Sequence, residues 1–200
     1  MASPSYILDA ERIRPPLDLP ALYGRARPLE VDVGCGKGRF LLARCMAFPD
    51  TNFLGIERRE KRVANVNRKL VREELTNARL LRLEAAYVVE ELIPPASVAA
   101  YYIFFPDPWP KRRHHRRRLF SPAFMQALHR TLRDGGGLHI ATDFEEYFLA
   151  MRTLLRADPR FAETVTFETS DEERSEFELT FRRQGKPIYR ASFTKARAAA

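Results

Sequence analysis

The sequence predicts an α/β fold: a mostly parallel sheet with helices on both faces. Three observations predict it. From Leu29 onward, short apolar runs alternate with amphipathic stretches, which is the pattern of repeated strand–helix units. One run, residues 98–105, is almost continuously apolar, as a strand buried on both faces must be. Acids or glycines follow the ends of five predicted strands, the edge at which open α/β sheets bind ligands.

The elements follow in order. Residues 1–29 are rich in proline and arginine without periodicity and read as an extended N-terminal arm. Leu29–Val33 is a strand, and residues 38–48 form a helix that Pro49-Asp50 ends. Asn52–Ile56 is a strand, followed by a long charged helix over 59–75 with Val63, Val66 and Leu70 on one face. A short strand over 79–83 precedes a helix over 86–93, closed by Pro94-Pro95. After the strand at 98–105 come a helix over 124–132, a turn at Asp134-Gly135-Gly136-Gly137, a strand over 138–142 and a helix over 144–155. Residues 161–167 and 188–193 read as the last two strands. Residues 30–195 form a single domain without internal repeats.

Composition sets bounds. The chain has 200 residues, 45% hydrophobic and 30% charged, enough for one real core. No apolar run is long enough to span a bilayer, so no membrane partner is expected. The first twenty residues carry no apolar stretch of signal-peptide type, which makes the cytoplasm the expected compartment. Cys35 and Cys45 cannot build a disulfide framework or a four-ligand zinc site; they read as reduced thiols. His114-His115 has no further His or Cys nearby, and no metal is expected. His139 reads as a side chain on one face of its strand. The formal net charge of +8 suits a polyanionic partner, although where the charge lies matters more than its sum.

The first strand runs into Asp32-Val33-Gly34-Cys35-Gly36-Lys37-Gly38. Glycines allow a tight turn and close approach of a ligand to the backbone. A dinucleotide fingerprint would place glycine at 39, where Arg39 stands. Glycines at 34, 36 and 38 with Asp32 before them resemble motif I of class I S-adenosylmethionine (SAM) methyltransferases; a purely structural glycine turn is the alternative. SAM has no pyrophosphate but carries an ammonium that an acid can pair with. Glu57, about 20 residues past the glycine loop, can accept both ribose hydroxyls of an adenosine, or can cap the helix that follows. Glu84, at the end of the third strand, can reach an adenine amino group or be a surface charge.

The most informative segment is Phe104-Phe105-Pro106-Asp107-Pro108-Trp109-Pro110, followed by eight residues of which six are Lys or Arg. The prolines stiffen the loop and hold Asp107 at the sheet edge. The cationic run can neutralise several phosphates, or be a solvated loop as charge runs usually are. This segment is similar to the signature loop of the bacterial tRNA (guanine-N7)-methyltransferases. The likeness runs from Val31 to Phe193 and includes motif I, Glu57, Glu84, Thr142-Asp143, Ser175-Glu176-Phe177-Glu178 and Gly185-Lys186-Pro187-Ile188-Tyr189. The family usually has Thr where Ser175 stands; the hydroxyl survives.

The resemblance implies a Rossmann-like class I fold, SAM as cofactor and tRNA as partner, with methyl transfer to N7 of a variable-loop guanosine. It implies Asp107 as the active-site acid, lying against SAM. Asp32, Gly34, Gly36, Gly38, Glu57 and Glu84 would hold SAM. Lys111 and Asp143 would contact substrate, with Ser175, Glu176, Phe177 and Glu178 closing over it. Arg112, Arg113, Arg116, Arg117 and Arg118 would contact phosphates. Two rivals stay open: an amino-methyltransferase of another nucleic acid or a protein, whose loop reads Asn/Asp-Pro-Pro-aromatic, and a non-enzymatic RNA-binding protein. Monomer and homodimer are equally compatible with the sequence.

Overall fold

The computed structural model describes residues 5–196. Seven strands form one sheet: β1 (Leu29–Val33), β2 (Asn52–Ile56), β3 (Ala78–Leu81), β4 (Val98–Phe104), β5 (Leu132–Thr142), β6 (Phe161–Thr164) and β7 (Tyr189–Lys195). Their order is β3-β2-β1-β4-β5-β7-β6. β1 to β5 pair in parallel, and β7 is antiparallel to both β5 and β6. The order reverses between β1 and β4, the place where open sheets of this kind leave a crevice.

Helices cover both faces. On one face, α2 (Arg39–Ala47) and α3 (Glu60–Arg72) bury Leu41, Cys45, Val63, Val66 and Leu70 against Phe53 and Leu80. Val63, Val66 and Leu70 are the apolar face that the helical spacing predicted, and all three are buried. On the other face, α5 (Pro122–Thr131) and α6 (Glu145–Ala157) pack Phe124, Leu128, Tyr147 and Met151 onto Val31, Tyr101, Ile103 and Ile140. Alternation along β1, β2 and β4 sends successive side chains into the two layers.

Several elements depart from the sequence reading. The Asp134–Gly137 turn lies inside β5: Val98 pairs with Leu132 and Ala100 with Gly137, so the intervening residues form a wide bulge with Gly135 at φ 71°. The turn chemistry is satisfied without ending the strand. The helix expected over 86–93 is a short α turn, α4 (Ala85–Tyr87), continued by a π-helical turn over Val88–Leu92. There the Arg130 guanidinium donates to the Val89, Glu90 and Ile93 carbonyls. β6 stops at Thr164, and two further helices are present: α1 (Leu19–Tyr23) and α7 (Glu176–Arg183). α7 carries a readable signal, a Ser-x-x-Glu start in which the Ser175 hydroxyl accepts from the Glu178 N–H at 3.2 Å.

Residues 5–28 run along the sheet. Ile7 bridges to Leu80 and thereby covers the β3 edge. Leu17 and Tyr23 are buried, and the Tyr23 hydroxyl donates to the Phe53 carbonyl at 2.8 Å. The first four residues of the arm lie outside the described residues. No described helix is long and apolar enough to cross a membrane.

Candidate active site

The carboxyl ends of β1, β2, β3 and β4 open into one cleft of about 790 Å³. Its lining brings together Gly34, Glu57, Glu84 and Asp107 from four strand ends, Arg116, Arg117 and Arg118 from the basic run, and Phe177 from α7. These are eight of the residues singled out from the sequence, and chain segments far apart in sequence supply them.

Asp32, one residue before the end of β1, is almost wholly buried, and its Oδ2 finds no hydrogen-bond partner among the described residues. Burial, reinforced by the nearby Glu176 and Glu57 charges, pushes its carboxyl up to about 8. A buried acid of this kind is satisfied by an incoming cation. After it, the chain turns through three glycines with positive φ, and the Gly34 and Cys35 N–H groups both donate to the Ile56 carbonyl at 2.8 and 2.9 Å. Gly38 has φ 78°, and a Cβ there would lie 2.7 Å from Val66, so only glycine lets α2 start against α3. Cys35 and Cys45 are buried free thiols, which burial pushes up.

Glu57 is buried at the end of β2. Its Oε1 accepts from the Arg59 N–H at 2.8 Å and its Oε2 from Arg62 at 3.2 Å. The capping reading of Glu57 therefore holds, and each oxygen still has a lone pair for a ligand hydroxyl. Glu84 is exposed and pairs with Arg58 at 3.6 Å. Sequence reasoning missed Arg62. Its guanidinium lies 5.4 Å from the Phe177 ring centroid while bonded to Glu57, and so links the strand end to α7. Nothing in the sequence spacing distinguishes it from its arginine neighbours.

The proline loop leaves β4 with strained backbone: Phe105 and Trp109 have φ of 55° and 43°. The Phe105 N–H donates to the Ala141 carbonyl at 2.7 Å. Asp107 is exposed at the cleft. Beyond it, the basic run folds into a 3-10 turn, Arg112–Arg117. Lys111, Arg112, Arg113 and Arg116 face solvent, and only Arg116 of these lines the cleft. Arg117 lies over the Trp109 ring at 5.0 Å. Arg118 departs from the expected phosphate contact: it is tucked away, with a side chain only 9% exposed.

Asp143 pairs with Lys186 at 2.8 Å. In α7, Phe177 packs over the glycine loop, 3.6 Å from where a Gly36 Cβ would be, and Glu176 borders an adjoining recess with Lys37 and Arg62. Glu178 does not face the cleft. It is fully buried, held by Arg190, Arg182 and Thr169, because the capping turn that starts α7 points it inward. Ser175 is occupied as the cap. His139 stacks on Tyr102 at 5.1 Å and meets Ser192, and burial lowers its pKa to about 4. No cluster of metal-ligating side chains is present among the described residues.

Strand order, layers and the cleft at the switch point define a Rossmann-like class I methyltransferase. Solved structures share that fold: the 16S rRNA methyltransferase KamB superposes with a TM-score of 0.68 at 14% identity, over 94% of this chain and 97% of its own. Residues 26–191 match a family model described as "Putative methyltransferase". The tRNA (guanine-N(7)-)-methyltransferase of Nitrosococcus oceani is 34% identical over 90% of this chain and 77% of its own length. That of Bordetella pertussis is 38% identical over 75% of this chain. The chain belongs to the tRNA (guanine-N7)-methyltransferase family. It matches 59% of the length of the Bordetella relative.

Proposed function

We propose that this protein transfers the methyl group of SAM to N7 of a guanosine in tRNA. The observation that carries the reading is the meeting, in one cleft, of the cofactor-type acid Glu57 with Asp107 and the cationic rim at Arg116. The residues fit SAM. The cleft volume is that of a small-molecule site, Asp32 offers a buried unpartnered carboxylate oxygen to an ammonium, and Glu57 has acceptor capacity left for ribose hydroxyls. Gly34 and Gly36 admit the cofactor's amino acid end, Gly38 fixes the turn into α2 that frames it, and Glu84 stands where an adenine amino group can be met. Bound there, SAM supplies an electrophilic methyl on a sulfonium.

Guanine N7 has a lone pair and no proton, so the chain needs no general base. Its tasks are to align the base and exclude water. Asp107 accepts from the guanine N1 and N2 donors and favours the positive charge that develops on the purine. Phe177 closes the cleft over the glycine loop. Lys111 and Asp143 flank the target nucleotide, which must leave its stack to reach the cleft. Arg112, Arg113 and Arg116 contact phosphates and set the register of the RNA. Such an enzyme works where tRNA is, in the cytoplasm. Incubation with labelled SAM and undermodified tRNA, followed by nucleoside analysis, tests the proposal: N7-methylguanosine is expected, and label on an exocyclic amine would replace this reading with the amino-methyltransferase one.

A further inference from the structure

The basic run ends in a residue that behaves unlike its neighbours. The Arg118 Nε donates to the Pro108 carbonyl at 2.9 Å, and its two terminal nitrogens donate to both oxygens of Glu146 at 2.9 and 3.0 Å. Its guanidinium also lies 4.7 Å from the Tyr147 ring centroid. Three groups from two segments thus converge on one planar cation. Pro108 stands between Asp107 and Trp109, and Trp109 sits at a φ of 43° that a bulky side chain rarely adopts. Glu146 and Tyr147 belong to the first turn of α6, which is packed onto the sheet. The proline loop is otherwise a long excursion from β4, and prolines cannot donate backbone hydrogen bonds to hold it.

We infer that Arg118 is a positioning residue: it pins the Asp107–Trp109 loop to α6 and does not contact phosphate. A planar fork suits this task, because it satisfies a carboxylate on two nitrogens and a carbonyl on the third at once. The fork borders the cleft, but its side chain is only 9% exposed and Nε and both terminal nitrogens are already bonded to Pro108 and Glu146. The run therefore has two parts, with exposed cations at Arg112, Arg113 and Arg116 and an internal anchor at Arg118. The consequence for methyl transfer rests on the proposed function, in which Asp107 orients the base.

Trp109 is the chain's single tryptophan, so its fluorescence reads the loop directly, without substrate. In Arg118→Ala, Trp109 emission should shift to the red and acrylamide quenching should rise, with the far-UV spectrum preserved. The single-turnover rate should fall roughly ten- to a hundredfold, the loss typical of a misplaced reacting group. Salt dependence of tRNA binding should keep the wild-type slope, because no phosphate contact is removed. Arg118→Lys, which cannot fork to three acceptors, and Glu146→Gln, an exposed partner whose loss spares the core, should show the same changes to a smaller degree. They carry the test if the alanine variant fails to fold. Wild-type emission and quenching in both would overturn the anchor. A slope shallower by about one phosphate contact, 0.7–0.9 on the log–log plot, would overturn it too. A loosened Trp109 with an unchanged rate would support the anchor and instead remove Asp107 from the reaction.

Discussion

Glu178 of α7 and Arg190 of β7 form an ion pair sealed from solvent, with side chains 1% and 6% exposed. Arg182 and Thr169 complete the shell of the carboxylate. The pair ties α7 to the sheet and thereby keeps Phe177 over the glycine loop. Glu178→Ala should cost about 3–5 kcal/mol, because Arg190 is left buried without its counter-charge. Burial raises the Glu178 carboxyl, but Arg190 and Arg182 outweigh it and the net shift is downward. With the folded value below the unfolded one, the stabilisation is complete above the ordinary glutamate range and is lost as pH falls through the lowered value. Thermal melts across acidic pH should show wild type converging on Glu178→Gln; parallel curves would mean that the pair contributes nothing.

Asp32 has the opposite sign. With its carboxyl raised to about 8, it is mostly protonated in the free protein at neutral pH. Its contribution to stability is present below the unfolded carboxylate value and is lost as pH rises through the folded one. An arriving ammonium favours the ionised form, so SAM binding at pH 7 should release close to one proton. Calorimetry in buffers of different ionisation enthalpy measures it. Asp32→Asn should bind weakly and release none, and zero release by wild type would break the proposed ammonium pairing.

Glu57→Ala should weaken SAM binding by about 1.5–3 kcal/mol for each charge-assisted hydrogen bond lost. It also frees Arg62, now bonded to Glu57 beneath Phe177. An unchanged dissociation constant would remove Glu57 from the cofactor site.

Asp107 is exposed and makes no core contact, so Asp107→Ala should leave stability within about 0.5 kcal/mol of wild type. Single-turnover methylation at saturating SAM and tRNA should nonetheless be largely lost. A near-wild-type rate would make the acid structural.

The exposed cations should separate binding from chemistry. Replacing Arg112, Arg113 and Arg116 by alanine should raise the tRNA dissociation constant and flatten its salt dependence by about 0.7–0.9 log units for each contact removed. SAM affinity should hold, since its acids come from other strand ends. Equal slopes for wild type and the triple variant would identify the run as a solvated loop.

The sheet strands were legible along the chain because burial imposes its own periodicity. β2 and β4 are largely apolar on both faces since helices cover both, β1 keeps Leu29, Val31 and Val33 on one face, and Val63, Val66 and Leu70 repeat at helical spacing since α3 buries one stripe. Glycine spacing and the proline loop were legible for a similar reason, as each reflects a local backbone requirement. α1 and α7 went unread although both carry capping signals, because short helices leave little periodicity around their caps. The Asp134–Gly137 signal was real, but pairing with β4 turned it into a bulge.

The sequence by itself determined that Asp32, Glu57, Glu84 and Asp107 lie at strand ends on one edge of a parallel sheet. It could not tell Arg118 from Arg116, or assign Glu178 to the interior rather than the cleft. Only the tertiary structure decided those, because a charged side chain takes its role from the partner it meets. Glu146 and Arg190 arrive from other elements, α6 and β7, whose placement depends on how the whole sheet is ordered.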